Sequence, residues 1–550
     1  MGRTRIAIAS VFIAGAVMRG DAQRTSAPIT PSDARTRLRI IADDSMRGRL
    51  AGDIGNVRAT DYIARELKRL GLAPAGENGT YFQTVPVESM SIDSTAGLFA
   101  GGIDLRAGRD FTVAIRSAAG RRFALDSARV TYGGSLGDTM TMISPAQARG
   151  RVVILGPHVV NGTRQYLARA GAGLGTRFTG AAAIFYAQLD TIPPNAAEFD
   201  ANLSLANADT SRARLGGTIT VAAAERLFGR SLGALVPGDT GVVVRSTVQI
   251  HKTPPPYATR NVLAVWRGTD PALANEYVFI GAHSDHVGVA RHAVDHDSVW
   301  AYNRVFRPMG LASLEPLPAT AERGAVFRRS LDSLRRVHKP RPDSISNGSD
   351  DDGSGSAALL EIAESIASRR VRPKRSVVFA WFNAEEAGLL GSRYFVEHPT
   401  LPRDAIVAEL QMDQISRGGA DDVHGGGPRL LYVVSARDRS SALWRTITEI
   451  NGIQRRPFVL DLAYDAQGQP DQVFCRSDHW EFERRGIPVA LFFTGVHPDY
   501  HQVTDEPQYG DYGKLARVAQ LVRDVALRLA NGTTRPPLDR PVRRPEPGCG

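Results

Sequence analysis

Residues 347–386 read NGSDDDGSGSAALLEIAESIASRRVRPKRSVVFAWFNAEE. An acidic Gly/Ser turn leads into the helical run SAALLEIAESIASR. The β-branched and aromatic run RSVVFAWFN follows, so turn, helix and strand succeed one another. The same alternation continues outward on both sides. Upstream stands the strand-like YVFIGAH (277–283). Downstream come a helix around GLLGSRYFVEH, then IVAELQMD, RLLYVVSA and IPVALFFTG. Strands alternating with helices predict an α/β fold, a mostly parallel mixed sheet sandwiched by helices.

Earlier in the chain the texture differs. Residues 31–72 show helical periodicity, with Tyr62, Ile63, Leu67 and Leu70 recurring on one face and Gly71 as a stop. Short β-branched runs (RVVILG, AAAIFYA, GTITVAA, TGVVVRSTVQI) fill residues 120–252, and TPPPYATRN then forms a Pro-rich hinge. This organisation predicts a discontinuous domain of residues 31–119 and 253–531 with a β-rich insert at 120–252. The opening MGRTR, IAIASVFIAGAVM and RGDAQ has the layout of a signal peptide over residues 1–22, cleaved after Ala22. Its apolar run is shorter than the roughly 20 residues a membrane span needs. The expectation is export to the periplasm or the exterior, without stable membrane insertion. The Pro- and Arg-rich residues 532–550 are expected to be disordered. Of the two cysteines, Cys475 and Cys549, the second lies in that tail, so no structural disulfide is expected.

With 550 residues, 43% of them hydrophobic, the chain is long enough for two or three domains. Lys and Arg number 67 against 57 acidic residues, a net charge of +10. The basic residues are scattered as pairs such as Arg121-Arg122, Arg335-Arg336 and Arg484-Arg485 without interleaved aromatics, which argues against nucleic acid as a partner. Lysine occurs only at Lys68, Lys252, Lys339, Lys374 and Lys514, none beside a candidate motif, which disfavours Schiff-base and P-loop chemistry.

Sites in open α/β sheets form outside the carboxyl ends of strands. Here those ends carry His283, Asp285 and His286; Asp350, Asp351 and Asp352; Glu385 and Glu386; Asp413; and His497 and His501. Taken singly, each has an ordinary explanation as a capped turn, a helix-start acid or a surface histidine. Together, at the ends of one sheet, they point to a metal centre. Imidazole mixed with carboxylate suits zinc better than the all-oxygen shells of Ca²⁺ or Mg²⁺, and the lack of nearby cysteine ligands argues against a closed structural site. Two histidines with four carboxylates fit two metals sharing one bridging carboxylate, leaving another carboxylate as a general base.

The strings GAHSDHVG, NGSDDDGSGSAALLEIA, FNAEEAGLLGS, LQMDQISR and SDHWEFERRGIPVALFFTGVHPDYHQVTDEP resemble, in order, the motifs of the M28 zinc peptidases, which include bacterial aminopeptidases and glutamate carboxypeptidase-like enzymes. Residues 42–87 are similar to the family's N-terminal segment. The 120–252 unit resembles the protease-associated domain inserted in such enzymes. The resemblance implies two Zn²⁺, with His283, Asp350 and Asp413 on one and Asp350, Glu386 and His501 on the other. It implies Glu385 as the general base and Asp285 as acceptor of the second ring N–H of His283. Asp351, Asp352, His286, His479 and His497 stay unassigned. The implied activity is exopeptidase cleavage of peptides, foremost as an aminopeptidase. The alternatives are a carboxypeptidase or dipeptidase, a single-zinc glutaminyl cyclase-like transferase and a non-catalytic binding module. Oligomeric state is not legible.

The sequence departs from the family in Ser349, where Ala is usual, and in the long segment 289–346 between His283 and Asp350. That segment holds AERGAVFRRSLDSLRRVHK, an amphipathic run with Phe327, Leu331, Leu334 and His338 on one face. It is expected to lie over the metal cleft as a lid.

Overall fold

The computed structural model describes residues 25–550 apart from 94, 114–124, 126, 161, 166–176, 179, 192–202, 207–214, 313–315, 424–425, 467, 470, 542–548 and 550. The expected signal peptide therefore lies outside the described residues. Among the described residues, no helix is long and apolar enough to cross a membrane.

The larger sheet has nine strands: β1 (Ala73–Pro74), β2 (Phe82–Thr84), β3 (Arg260–Trp266), β4 (Tyr277–His283), β5 (Ser376–Phe382), β6 (Ile406–Met412), β7 (Leu430–Val434), β8 (Val459–Asp461) and β9 (Val489–Phe493). Their order is β1-β3-β5-β4-β6-β9-β7-β8, with β2 also on β3. The central four, β5, β4, β6 and β9, are mutually parallel, while the joins of β3 to β5 and of β7 to β9 are antiparallel. In register His283 stands opposite Phe382, and Met412 opposite Phe492. The carboxyl ends of these four strands thus open at one rim, where His283, Glu385, Glu386, Asp413 and His501 are placed, while Asp350–Asp352 come from the turn before the helix Gly355–Ala367.

Period-two alternation explains why the central strands are buried on both faces. On β4 and β5, Val278, Ile280, Ala282, Val377, Phe379 and Trp381 join one core. Tyr277, Phe279, Val378, Ala380 and Phe382 join the other. The first core is covered by α1 (Pro31–Ile41), α2 (Ile54–Arg69), α5 (Gly355–Ala367) and α6 (Tyr512–Asn531), the labels α3 and α4 belonging to His296–Phe306 and Ala321–Arg335. Helix α1 starts at Thr30, whose side chain accepts from Asp33 N, and buries Ala34, Arg37, Leu38 and Ile41 on one stripe. Helix α5 buries every residue from Gly355 to Ile366, as expected of the crossover between parallel strands β4 and β5.

A second, seven-stranded sheet is built from Leu215–Ile219, Ala183–Ala187, Val152–Gly156, Ala128–Ser135, Thr240–Ser246, Gly97–Ala100 and Ile103–Arg106, in that order. It has its own core, in which Phe111 meets Phe185 edge to face. The sheet begins at Gly97, upstream of the boundary expected at 120, because the 97–106 hairpin pairs with Thr240–Ser246. Strands of four residues give too little alternation to be seen in sequence.

The tail corrects two expectations where it is described, at residues 532–541 and Cys549; the disorder expected of 542–548 and 550 lies outside the described residues. Cys475 and Cys549 form a disulfide. Arg535 pairs with Glu276, the Asp539 carboxylate accepts from Ser441 N at 2.8 Å, and the Pro541 carbonyl accepts from Arg439. Composition alone marks such a segment as loose; its partners are spread over the folded body and carry no local signal.

Candidate metal centre

His283 closes β4 with its ring buried. Its Nδ1 lies 3.1 Å from the Asp285 carbonyl oxygen. A carbonyl only accepts, so Nδ1 carries the proton and Nε2 presents its lone pair. That lone pair faces Asp351 Oδ1 at 3.1 Å and Asp413 Oδ1 at 3.7 Å. The other Asp351 oxygen lies 3.0 Å from His501 Nε2, which is also 3.0 Å from Glu386 Oε2. Glu386 Oε1 is held by His286 Nδ1 at 2.9 Å. Five buried or nearly buried groups thus meet in two clusters with Asp351 between them.

Asp350, expected as the shared carboxylate, is turned elsewhere. Its Oδ1 accepts from Ser416 N at 2.6 Å and Ser416 Oγ at 2.7 Å, and its Oδ2 faces His497 Nε2 at 3.2 Å. The reason is the turn itself. Asp351 has extended dihedrals (φ −100°, ψ 107°) and Asp352 also departs from helical geometry (φ −108°, ψ 45°), a break in the turn that aims the second aspartate of the run inward. Asp352 lies within ligand reach of His283 and Asp413. Its oxygens, however, are taken by backbone amides: His283 N at 2.9 Å on one, and Gly355 N at 2.9 Å with Gln414 N at 3.4 Å on the other. It orients the strand end and the start of α5.

Asp285 also acts differently from the expectation. Its carbonyl, not its carboxylate, serves His283; the carboxylate is 3.7 Å away. The carboxylate instead accepts from Glu385 N at 3.1 Å and Glu386 N at 3.3 Å, fixing both glutamates after β5. Ala384, at φ 57°, makes the turn that presents them.

The electrostatics call for positive charge between these groups. Burial alone would raise the Asp351 carboxyl, yet His283 and His501 on either side hold it well below the usual range. Burial disfavours charge on His501, but Glu386 and Asp351 raise it to about 10, while His501 and His286 draw Glu386 down to about 2 against its burial. His283 Nε2, His501 Nε2 and Asp413 Oδ1 have no aligned hydrogen-bond partner although a carboxylate or imidazole stands 3.0–3.7 Å away. Close, misaligned donors and acceptors of mixed N and O type, in two groups of three or more, fit divalent zinc.

Beside Asp351 and Asp413, Glu385 faces a small cleft whose apolar wall is Val473, Leu491, Phe493, Val496 and Tyr500. Burial, and then the like charges of Glu386, Asp413 and Asp478, push the Glu385 carboxyl well up against the pull of His283. Arg476 also lines the cleft and donates to the Tyr500 hydroxyl at 3.1 Å. Tyr500 and Arg476 were not singled out as site residues, and His286 was named without a role; the adjacency of Tyr500 to His501 was the signal present. Among the described residues, none from 289–346 lines the cleft. The amphipathic face of α4 is spent on α3, where Phe327 meets the rings of Tyr302 and Phe306 at 6.1 and 6.2 Å.

Residues 319–526 match the model of peptidase family M28. Leupeptin-inactivating enzyme 1 of Streptomyces exfoliatus is 31% identical over 173 residues, 30% of this chain and 33% of that protein. An aminopeptidase of Pseudomonas aeruginosa is 31% identical over 170 residues, 31% of this chain and 29% of that protein. The chain thus spans about a third of the length of these curated relatives. The solved aminopeptidase of Aneurinibacillus sp. strain AM-1 superimposes with a TM-score of 0.51 at 17% identity, covering 95% of this chain and 99% of that one, a likeness of fold. The family's motifs and the match of residues 319–526 to its model agree that this part of the chain is similar to peptidase family M28, and the likeness to the solved aminopeptidase is one of fold.

Proposed function

We propose that the protein is a two-zinc aminopeptidase acting outside the cytoplasm on peptides with an apolar N-terminal residue. The observation that carries the reading is the position of Asp351, with one oxygen 3.1 Å from His283 Nε2 and the other 3.0 Å from His501 Nε2. His283 and Asp413 would complete one zinc site, Glu386 and His501 the other. When bound, such a pair supplies Lewis acidity and lowers the pKa of water. Glu385, buried beside both clusters, takes the proton of the attacking water and returns it to the leaving amine. Burial keeps Tyr500 protonated. Because its oxygen already accepts from Arg476, its own proton is left to donate to the carbonyl oxygen of the substrate.

The Val473, Leu491, Phe493 and Val496 wall supports an apolar side chain in the cleft. The Cys475–Cys549 disulfide supports an oxidising compartment, in keeping with the signal-like first 22 residues. The test is cleavage of leucyl anilide against its N-acetylated form, before and after chelation and with zinc added back stepwise. Activity on the free amine alone, restored at two zinc ions per chain, is expected. Equal cleavage of the blocked substrate, or full turnover with one zinc or none, would overturn the proposal.

A further inference from the structure

The segment 289–346 forms an arm. Gly288–Asp295 pairs antiparallel with Pro342–Ser346, and α3 and α4 stand between them. No residue of α4 is buried, and its last turn is tied back within the arm by Arg335 to Asp295 and Asp297. The other end of the arm, from Arg304 to Ala312, meets the 497–501 turn in three ways. Arg304 forms a two-pronged pair with Asp499, at 3.0 and 2.9 Å. Leu311 N donates to the Tyr500 carbonyl at 3.1 Å. Gly310, at φ +52°, lies so close that a Cβ there would stand 2.7 Å from Tyr500 O and 3.0 Å from His497 O. Met309 and Ala312 pack on the apolar cluster that contains Tyr500, Phe493 and Val496.

What this end of the arm holds is the turn that presents the site. Asp499 is fully buried and is also bound by Arg417 at 2.8 Å and Thr504 at 2.7 Å. Tyr500 and His501 follow directly, with their rings stacked at 3.9 Å and 21°. His501 sits at φ 57°, a backbone region that a non-glycine residue keeps only where its surroundings hold it. Its Nε2 faces Asp351 and Glu386.

We propose that Arg304 is a positioning residue: through Asp499 it fixes Tyr500 and His501, and the arm is a buttress behind the second metal position. This rests on the two-zinc reading of the same site. Arg304 touches neither cluster, and the two-pronged pair sets the angle of the turn as well as its charge. Removing it frees the turn at one of its anchors, and groups that orient metal ligands are worth about 10- to 100-fold in affinity when lost.

The test measures zinc affinity at both positions by competition with a chelator, the visible spectrum of the cobalt-loaded protein, and kcat and KM. The proteins are the wild type, Arg304→Leu, Arg304→Lys and the exposed control Arg329→Ala. In Arg304→Leu the weaker zinc is expected to bind about 10- to 100-fold less tightly, with a changed cobalt spectrum and lower kcat, while KM changes little. Arg304→Lys, which keeps the charge without the fork, should recover part of the loss. Arg329→Ala should match the wild type. Arg304→Leu with wild-type affinity and spectrum would overturn the proposal. So would a variant that loses both metals together with the thermal transition of its metal-free form, since that marks general unfolding. A wild type that binds fewer than two zinc ions would overturn the two-zinc reading as well as this proposal, and is recognised before any variant is compared.

Discussion

Replacing Asp351 by Asn, beside the same change at Asp350, separates the two candidate bridges. Asp351 stands 3.1 and 3.0 Å from the imidazole nitrogens of the two clusters and is almost fully buried. Removing one member of a buried charged set costs about 3–5 kcal/mol. At about 1.4 kcal/mol per decade, zinc affinity should fall by roughly two to three and a half decades, and both positions should be affected. Asp350 is equally buried, but its partners are Ser416 and His497. Asn there still offers one acceptor to Ser416, so the loss is that of charge on a hydrogen bond, about 1.5–3 kcal/mol of folding stability. Zinc affinity should then move by less than about tenfold. Competitive zinc titration, with urea unfolding of the metal-free proteins, reads both effects. Loss of zinc in Asp350→Asn with retention in Asp351→Asn would refute the reasoning.

Glu385→Gln should keep two zinc ions and the fold while losing about a hundred- to ten-thousand-fold in kcat, since the amide cannot take a proton; an emptied metal centre would show that Glu385 is a ligand instead. Lys514, buried on α6 against the carbonyls of Gly418 and Gly427, is lowered by burial from 10.5 to about 8. Below about pH 8 both folded and unfolded states hold the proton and the burial cost is complete; between about 8 and 10.5 only the unfolded chain holds it, so stability rises with pH. Urea unfolding should therefore show the wild type gaining up to roughly 3 kcal/mol on Lys514→Met between pH 7.5 and 10.5, and a constant difference would count against it. The Cys475–Cys549 disulfide joins residues 74 positions apart, so Cys549→Ser should lose up to about 4 kcal/mol in urea unfolding, and an unchanged midpoint would show that the tail adds nothing to the body.

The strand ends were legible because each apolar run terminates in a candidate site residue, and parallel register then brings those ends together: His283 at the end of β4, Glu385 and Glu386 after β5, Asp413 after β6, His501 after β9. A helical face shows only that something is covered, and α4 covers α3 inside its own arm. The tail's cysteine found a partner that no local pattern announces.

The aspartate run is the sharper case. Three identical side chains in succession carry no composition or spacing that ranks them, and their fates are decided by donors elsewhere in the chain. Ser416 captures Asp350; the amides of His283, Gly355 and Gln414 capture Asp352. Among the described residues no backbone amide reaches the carboxylate of Asp351, whose oxygens face the two histidines alone. A carboxylate saturated by amides has little left to give a cation, whereas one flanked by two imidazoles is stabilised by the positive charge between them, which protons on the rings or a bound cation can supply. The same rule separates Asp285 from the ligands, since its oxygens are spent on the amides of Glu385 and Glu386. In this site the metal-facing groups are those that the backbone leaves unsatisfied, and that property exists only once the four strand ends have been brought to one rim.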